Sequence, residues 1–482
     1  MFNKKSVFSN TLSGVVSNVL QNVFLGIFFV LLAKSIGLNE FSNFAIGNSL
    51  YQIIGVFSTM GLATYFIREY VKEVETAKYS TIHFFSVEAI LSLFALVVIY
   101  LLSISMYSDD SKIIQISSIL GLNVLFDNLI YSIKAIHTAE RTQYLILRIT
   151  LIESSIKLLM VIVFYFMPFN FLLFLFLLVG FRVITLVLSY KSLPLHVKSE
   201  FGELKSYVNI KKIIKVKQIR ALIYEGRVFV IIGSINVIFW RINALLLSKL
   251  TDKTDVGNYE VAFKFFSIAQ IIPVILMGTI YPILAKNYSD KHAFLETSKK
   301  AYFQMLIFSI YTTLIAYYLS PYAITWFFGE EFRDSIIITQ HMFLALIPFS
   351  LSLVQAYILI ASHHEKIDMW LNIINLMVNS TLGYLLIKSY GLVGSVHSIS
   401  ISFLLFYILQ SVFLIKNKID YLSKEKFKIL VVILIPLSAF ILSEGKYLPQ
   451  LNQIGLFLIT LTLLTIIVVV FKILNKRNLI KS

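Results

Sequence analysis

No cysteine occurs in the sequence, which excludes disulfide frameworks, thiolate metal sites and cysteine nucleophiles. Proline and glycine are scarce, 8 and 19 in 482 residues, and leave little material for long disordered linkers. Charge is scarce too: 14% of residues are Asp, Glu, Lys or Arg, against about 25% in a soluble globular domain. A Gly-rich phosphate loop and an HExxH motif are both missing, so neither an ATP motor nor a zinc hydrolase is expected. His363-His364-Glu365 lies in a short turn, where adjacent histidines rarely converge on one metal, and Asp109-Asp110 is a lone acidic pair. No metal, no cofactor and no enzymatic activity are therefore expected. What fills the chain instead is apolar: 58% hydrophobic residues, with a mean hydropathy of +0.82.

Apolar runs of about 18 to 20 residues can cross the hydrocarbon core as helices. Fourteen are found, at 12–33, 43–65, 81–102, 113–135, 145–167, 169–190, 226–248, 259–284, 302–319, 336–360, 369–387, 392–415, 429–443 and 454–473. Solid runs of this length argue against a barrel, whose strands alternate over about ten residues. The fold class is thus an all-α polytopic membrane protein. Between the fifth and sixth runs, Pro168 breaks the helix and Asn170 suits the turn.

The net charge of +16 could suggest nucleic acid, but its distribution argues for membrane orientation instead. With Lys4 and Lys5 placed inside, the inner loops, tails and inner helix ends hold 30 of the 42 basic residues, and the outer loops hold 7. This is the bias expected of cytoplasmic loops, and it puts both termini in the cytoplasm. The polar stretch 191–221 reads as a basic cytoplasmic connector attracted to anionic membrane lipid.

A weak repeat runs through the chain at an offset of 215. Ala33-Lys34 aligns with Ser248-Lys249, and Phe41-Ser42-Asn43-Phe44 with Val256-Gly257-Asn258-Tyr259. The offset spans six helices, so the two copies point the same way through the membrane. Two pseudo-symmetric six-helix lobes follow, 1–190 and 222–415, with 416–482 adding two helices and a tail.

Several motifs, in order along the chain, carry a family resemblance. Leu32-Ala33-Lys34-Ser35-Ile36-Gly37, Phe41-Ser42-Asn43-Phe44-Ala45 and Met60-Gly61-Leu62 resemble the opening of O-antigen (Wzx-type) polysaccharide flippases. Val256 to Ala262 with Pro273 and Pro282, Phe328-Gly329-Glu330-Glu331-Phe332 and Tyr390-Gly391-Leu392-Val393-Gly394-Ser395 resemble later segments of that family. The resemblance implies a two-lobed fold like that of multidrug and toxin extrusion transporters. It implies translocation of undecaprenyl-diphosphate-linked oligosaccharide across the bacterial cytoplasmic membrane, beside a polysaccharide polymerase and a chain-length regulator.

Such cargo needs cations for phosphate and polar groups for sugar hydroxyls. Ionisable residues inside spans are costly and face a cavity or one another. The basic ones are Lys157, Arg182, Arg227, Arg241 and Lys264; the acidic ones are Glu88, Asp127, Glu153, Glu225 and Glu260. Glu153–Lys157 and Glu260–Lys264 have i,i+4 spacing and can pair. Arg182 and Arg241 are the foremost phosphate candidates, because guanidinium holds phosphate in a bidentate fork; an ion pair with Asp127 or Glu88 is the plain alternative. Asn18 and Asn22, with Gln21, form one amide stripe, Asn48 and Gln52 a second, and Asn372, Asn375 and Asn379 a third. All can meet sugars or simply join helices. Trp240 can stack on a sugar ring or pack. Asp127 and Glu88 are the candidates for coupling to protons or sodium. A polymerase or ligase of the same pathway is the rival reading, but it would call for a sizeable outer catalytic loop. A drug exporter or a peptidoglycan-precursor flippase would keep the fold and change the cargo.

Overall fold

A computed structural model describes residues 4–72, 81–198 and 216–419; within these, the side chains of Asn18, Glu225 and Arg227, among others, are not described. Every described element is helical. In chain order these are α1 (Lys4–Lys72), α2 (Thr81–Tyr107), α3 (Ser111–Ala139), α4 (Gln143–Phe166), α5 (Phe171–Ser192), α6 (Val216–Leu250), α7 (Lys253–Asn287), α8 (Lys291–Phe327), a short 3-10 turn (Glu330–Phe332), α9 (Ser335–Leu344), α10 (Leu346–Ala361) and α11 (Glu365–Lys416). The first twelve expected spans all fall on these helices, whereas 429–443 and 454–473 lie outside the described residues. Among the described residues, nine segments are long and apolar enough to cross a membrane.

Two of the helices are hairpins folded at a glycine. In α1 the helical path breaks at Gly37, with φ 73°. The Phe29 and Phe41 rings on either side lie 6.3 Å apart, and Phe29 and Phe44 5.9 Å apart, which a straight helix rising about 1.5 Å per residue would not allow. In α11 the break is Gly391, with φ 58°. Only glycine adopts such angles without strain. The expected turn between the fifth and sixth spans is present: α4 ends at Phe166, and Asn170 caps α5 by accepting from the N–H groups of Leu172 (2.9 Å) and Leu173 (3.2 Å).

Two boundaries differ from expectation. The span at 336–360 is interrupted at Ala345, because Pro348 has no N–H to offer and is tolerated only in the first turn of the helix that follows. The connector at 191–221 is shorter than expected, because α6 already begins at Val216; residues 199–215 lie outside the described ones.

The outward surface inverts the soluble pattern. On α2, Leu93, Phe94, Val97 and Leu101 are all more than half exposed, while buried positions elsewhere hold many serines. These serines satisfy themselves by donating one turn back, as Ser49 does to the Ala45 carbonyl (2.8 Å) and Ser189 to Thr185 (2.7 Å). Small side chains of this kind let membrane helices approach closely.

The chain forms two compact units. One comprises 1–264, 326–334 and 380–395, the other 265–325, 335–379 and 396 onward. Within the first unit, α6 and the start of α7 pack along α1. The first unit has an apolar core of Leu62, Phe66, Phe84, Val87, Ile133 and Ile149, among others. The second is built on Met277, Tyr302, Met305, Leu351, Ile358 and Tyr407. In it Gln410 donates to Asp368 (3.3 Å), tying the two arms of α11 together, and the rings of His341 and His397 stack 5.2 Å apart.

Candidate functional site

Seven span charges expected from sequence meet in two clusters, both in the first unit. In the first cluster Arg182 of α5 pairs with Asp127 of α3 and with Glu153 of α4 (2.5 Å). Glu153 also holds Lys157 at 2.9 Å and Lys134 at 3.5 Å. In the second, Arg241 of α6 donates to Glu260 of α7 (2.7 Å), and Lys264 meets the same carboxylate at 2.8 Å. The Lys264 ammonium also stands 3.7 Å from the centre of the Phe29 ring, and the Arg241 guanidinium lies over Phe263. Such faces stabilise a desolvated cation.

Adjacent residues of α1 touch both clusters. Tyr51 donates to Asp127, and Gln52 accepts from Arg241 Nε at 2.7 Å. Neighbours on a helix point about 100° apart, so one turn of α1 faces one cluster with each residue. The clusters share a charge balance: three cations against two carboxylates in the first, two against one in the second. Each has one cation in excess. They differ in access, for Lys157 and Asp127 keep 31% and 21% of their side-chain surface while Arg241 keeps 6% and Glu260 none.

Arg182 and Arg241 are thus ion-paired, not free guanidinium groups. Both i,i+4 pairs form as their spacing suggests. Trp240 is 8% exposed and packs against Phe239 and Phe263, with Nε1 donating to Asn236 (3.1 Å). Asn48 is buried, and its amide nitrogen has no partner. Asn22 is half-buried and engaged. Asn18 and Arg227 sit on α1 and α6, with their side chains outside the description. Asp127, one of the two coupling candidates, is occupied by Arg182 and Tyr51. Glu88, the other, is fully buried with neither oxygen partnered. Lys134, Tyr51 and Gln52 are participants that the sequence reading did not nominate. Lys134 lies seven residues from Asp127, two helical turns along one face, which is a usable signal.

Away from these clusters, a set of contacts joins the helix ends that sequence places on the outer side. Lys34 donates to the Trp326 carbonyl (3.1 Å), and Lys249 to the Met106 carbonyl. The Leu38 N–H donates to Glu331 (3.0 Å), Lys253 pairs with Asp110, and Lys112 with Glu40. Gly257 sits so close to Ser42 and Leu38 that a side chain there would overlap them. On the opposite side, Glu140 accepts from Tyr70 at 2.7 Å and lies 3.4 Å from His196. Each of these contacts joins loops that an alternating path puts on one face.

The arrangement is that of a helical membrane protein with paired charges inside its long apolar helices. Its fold is found in a lipid II flippase MurJ in an inward closed conformation (16% identity, 97% of this chain and 99% of that one, TM-score 0.71). It is also found in an inward-facing multidrug resistance MATE family transporter of the MOP superfamily (11% identity, 84% and 96%, TM-score 0.69). A MOP superfamily transporter from Pyrococcus furiosus is similar over 86% of this chain and 94% of its own, at 12% identity and a TM-score of 0.54. No protein of curated function matches in sequence. Residues 4–288 match the polysaccharide biosynthesis protein family, and the chain belongs to that family.

Proposed function

We propose that the protein is a flippase that moves undecaprenyl-diphosphate-linked oligosaccharide repeat units from the inner to the outer leaflet of the bacterial cytoplasmic membrane. It works by alternating access between two six-helix lobes, for assembly of surface polysaccharide such as O-antigen or capsule. The observation that carries the reading is the pair of clusters, each with one excess cation. A diphosphate diester presents one negative charge on each phosphorus, so two such clusters match it one to one. The first cluster, with Lys157 and Arg182, is the more open and receives phosphate first; the second, with Arg241 and Lys264, engages when its carboxylate contact loosens. A drug exporter for cations would need the opposite excess. The buried amide of Asn48 is available to a sugar hydroxyl, and a downstream polymerase with its chain-length regulator would consume the product.

Export of surface polysaccharide by a deletion strain carrying the gene, normalised to protein in the membrane, tests the proposal. Failure to restore export with the wild-type protein at normal abundance would overturn it. Reporter fusions after Lys198 and after Lys476 should both give a cytoplasmic signal; a periplasmic signal at either would reverse the proposed orientation.

A further inference from the structure

We propose that Glu88 is a proton-binding site, distinct from the two charge clusters and concerned with energy coupling. Glu88 lies on α2 with no exposed surface, and neither carboxyl oxygen has a hydrogen-bond partner. Its chain neighbour Val87, and Phe84 one turn before it, belong to the apolar core with Leu62, Phe66, Ile130 and Ile133. A carboxylate in such surroundings costs several kcal/mol unless a counter-charge is bound.

Among the described residues, no side chain of the helices packed against α2 supplies that counter-charge. On α3, Tyr131 is the titratable group that acts on Glu88; Asp127 is held by Arg182 and Tyr51, Lys134 by Glu153, and His137 by Thr142 and Ser192. On α1, Tyr70 is engaged with Glu140, and on α6 Arg241 is engaged with Glu260 and Gln52. A sodium ion would need several oxygen ligands around it, and neither carboxyl oxygen of Glu88 has a hydrogen-bonding partner among the described residues. A proton needs one oxygen and no further ligand. It is the cation that this pocket accommodates.

A route for that proton adjoins the site. One turn along α2, the Ser92 hydroxyl donates to the Glu88 carbonyl, while Asn128 of α3 donates to Ser92 (2.6 Å) and to Ser58 of α1 (2.7 Å). This buried polar chain links three helices and meets Glu88 at its backbone carbonyl. A shift of α2 against α1 and α3 would bring water to it, the proton leaving as the carboxylate becomes hydrated and returning when the helices close. The inference deepens the flippase reading by naming the driving ion, yet its first test needs no cargo.

Infrared difference spectroscopy on the purified full-length protein in lipid vesicles, exchanged from H₂O to D₂O, reads protonated carboxyl groups directly. At neutral pH the wild type should show a protonated-carboxyl carbonyl band that Glu88→Gln removes. Glu88→Met, an apolar replacement that leaves no amide to satisfy, should remove it too, and Glu153→Gln should leave it unchanged. Absence of the band in the wild type, or its survival in both Glu88 variants, would overturn the proposal. In vesicles carrying a polyprenyl-diphosphate-linked fluorescent sugar, a pH gradient should accelerate flipping by the wild type, and the Glu88 variants should lose that response. Equal response in variants and wild type overturns the coupling role. Absence of flipping under every condition, with the band present, would instead count against the flippase reading alone.

Discussion

Lys34 and Lys249 stand 215 residues apart and make the same bond. Each reaches from the outer end of its helix to a carbonyl in the last turn of another: Trp326 near the end of α8 for Lys34, Met106 near the end of α2 for Lys249. The last carbonyls of a helix lack intrahelical partners and carry the negative end of its dipole, so a lysine there is a cap. Four residues further on, the pattern repeats: the Leu38 N–H meets Glu331, and the Lys253 ammonium meets Asp110. Contacts at the offset seen faintly in sequence thus pair up as a clasp between helix ends.

Reversing one charge of the clasp should open it. Lys253→Asp faces Asp110 with a like charge and should expose Ser42, which packs beneath Gly257. The natural absence of cysteine makes the measurement clean. In a Ser42→Cys protein, a membrane-impermeant maleimide added from outside should label the Lys253→Asp variant faster than the parent. Adding Asp110→Lys should restore slow labelling. Equal labelling in all three would mean that the ion pair contributes nothing to closure.

The clasp should hold across ordinary pH. Partial burial pushes the Asp110 carboxyl up, but the Lys253 ammonium and the backbone N–H groups of Ile113 and Lys112 outweigh this and hold it below the usual carboxylate range. A depressed folded value means that its contribution is present above the unfolded value of about 3.9 and lost as pH falls through the folded one. Maleimide reactivity of Ser42→Cys, corrected for the reagent's own pH dependence, should therefore stay flat from neutral pH down to about pH 5. A rise across that interval would show that another group opens the clasp.

How much of this was legible in sequence differs from feature to feature. Twelve spans were readable because apolar length is a direct consequence of bilayer thickness. Gly37 and Gly391 as reversal points were not, since positive φ at a glycine leaves no mark in composition. The i,i+4 pairs were readable from helix geometry. The convergence of Arg182 on Glu153, and the part played by Tyr51 and Gln52, depend on which helices pack together, and hydropathy does not encode that. Glu88 and Asp127 looked equivalent as span carboxylates; only the packing separates a carboxylate with two partners from one with none.

The turn of α11 gives a sharp stability prediction. A side chain at Gly394 would overlap the backbone carbonyl of Leu386, which cannot swing aside as a flexible side-chain end can. Gly394→Ala should therefore destabilise by several kcal/mol, at the upper end of single substitutions, and reduce the amount of protein in the membrane. Gly180→Ala and Gly278→Ala meet nothing within 4 Å and should be tolerated. Thermal unfolding of the three variants in detergent checks the contrast.

The charge clusters separate a structural role from a phosphate-binding one. Arg182→Gln leaves Asp127 and Glu153 short of their main partner, and breaking a buried pair on one side costs about 3–5 kcal/mol. Loss of export with loss of abundance would therefore say little about phosphate. The informative variant removes charge from both signs at once: Arg182→Gln with Asp127→Asn keeps the cluster's excess of one cation and erases its fork. If the arginine merely pairs, this double variant should recover both abundance and export. If it also holds phosphate, abundance should recover while export stays low. Arg182→Lys keeps charge without the bidentate geometry, and should fall between wild type and Arg182→Gln in export at equal abundance. The same logic applies to Arg241→Gln with Glu260→Gln, where Lys264 remains as the single cation. Normal export by both double variants at normal abundance would remove the two arginines from the proposed mechanism. It would leave Lys157 and Lys264 as the groups to test next.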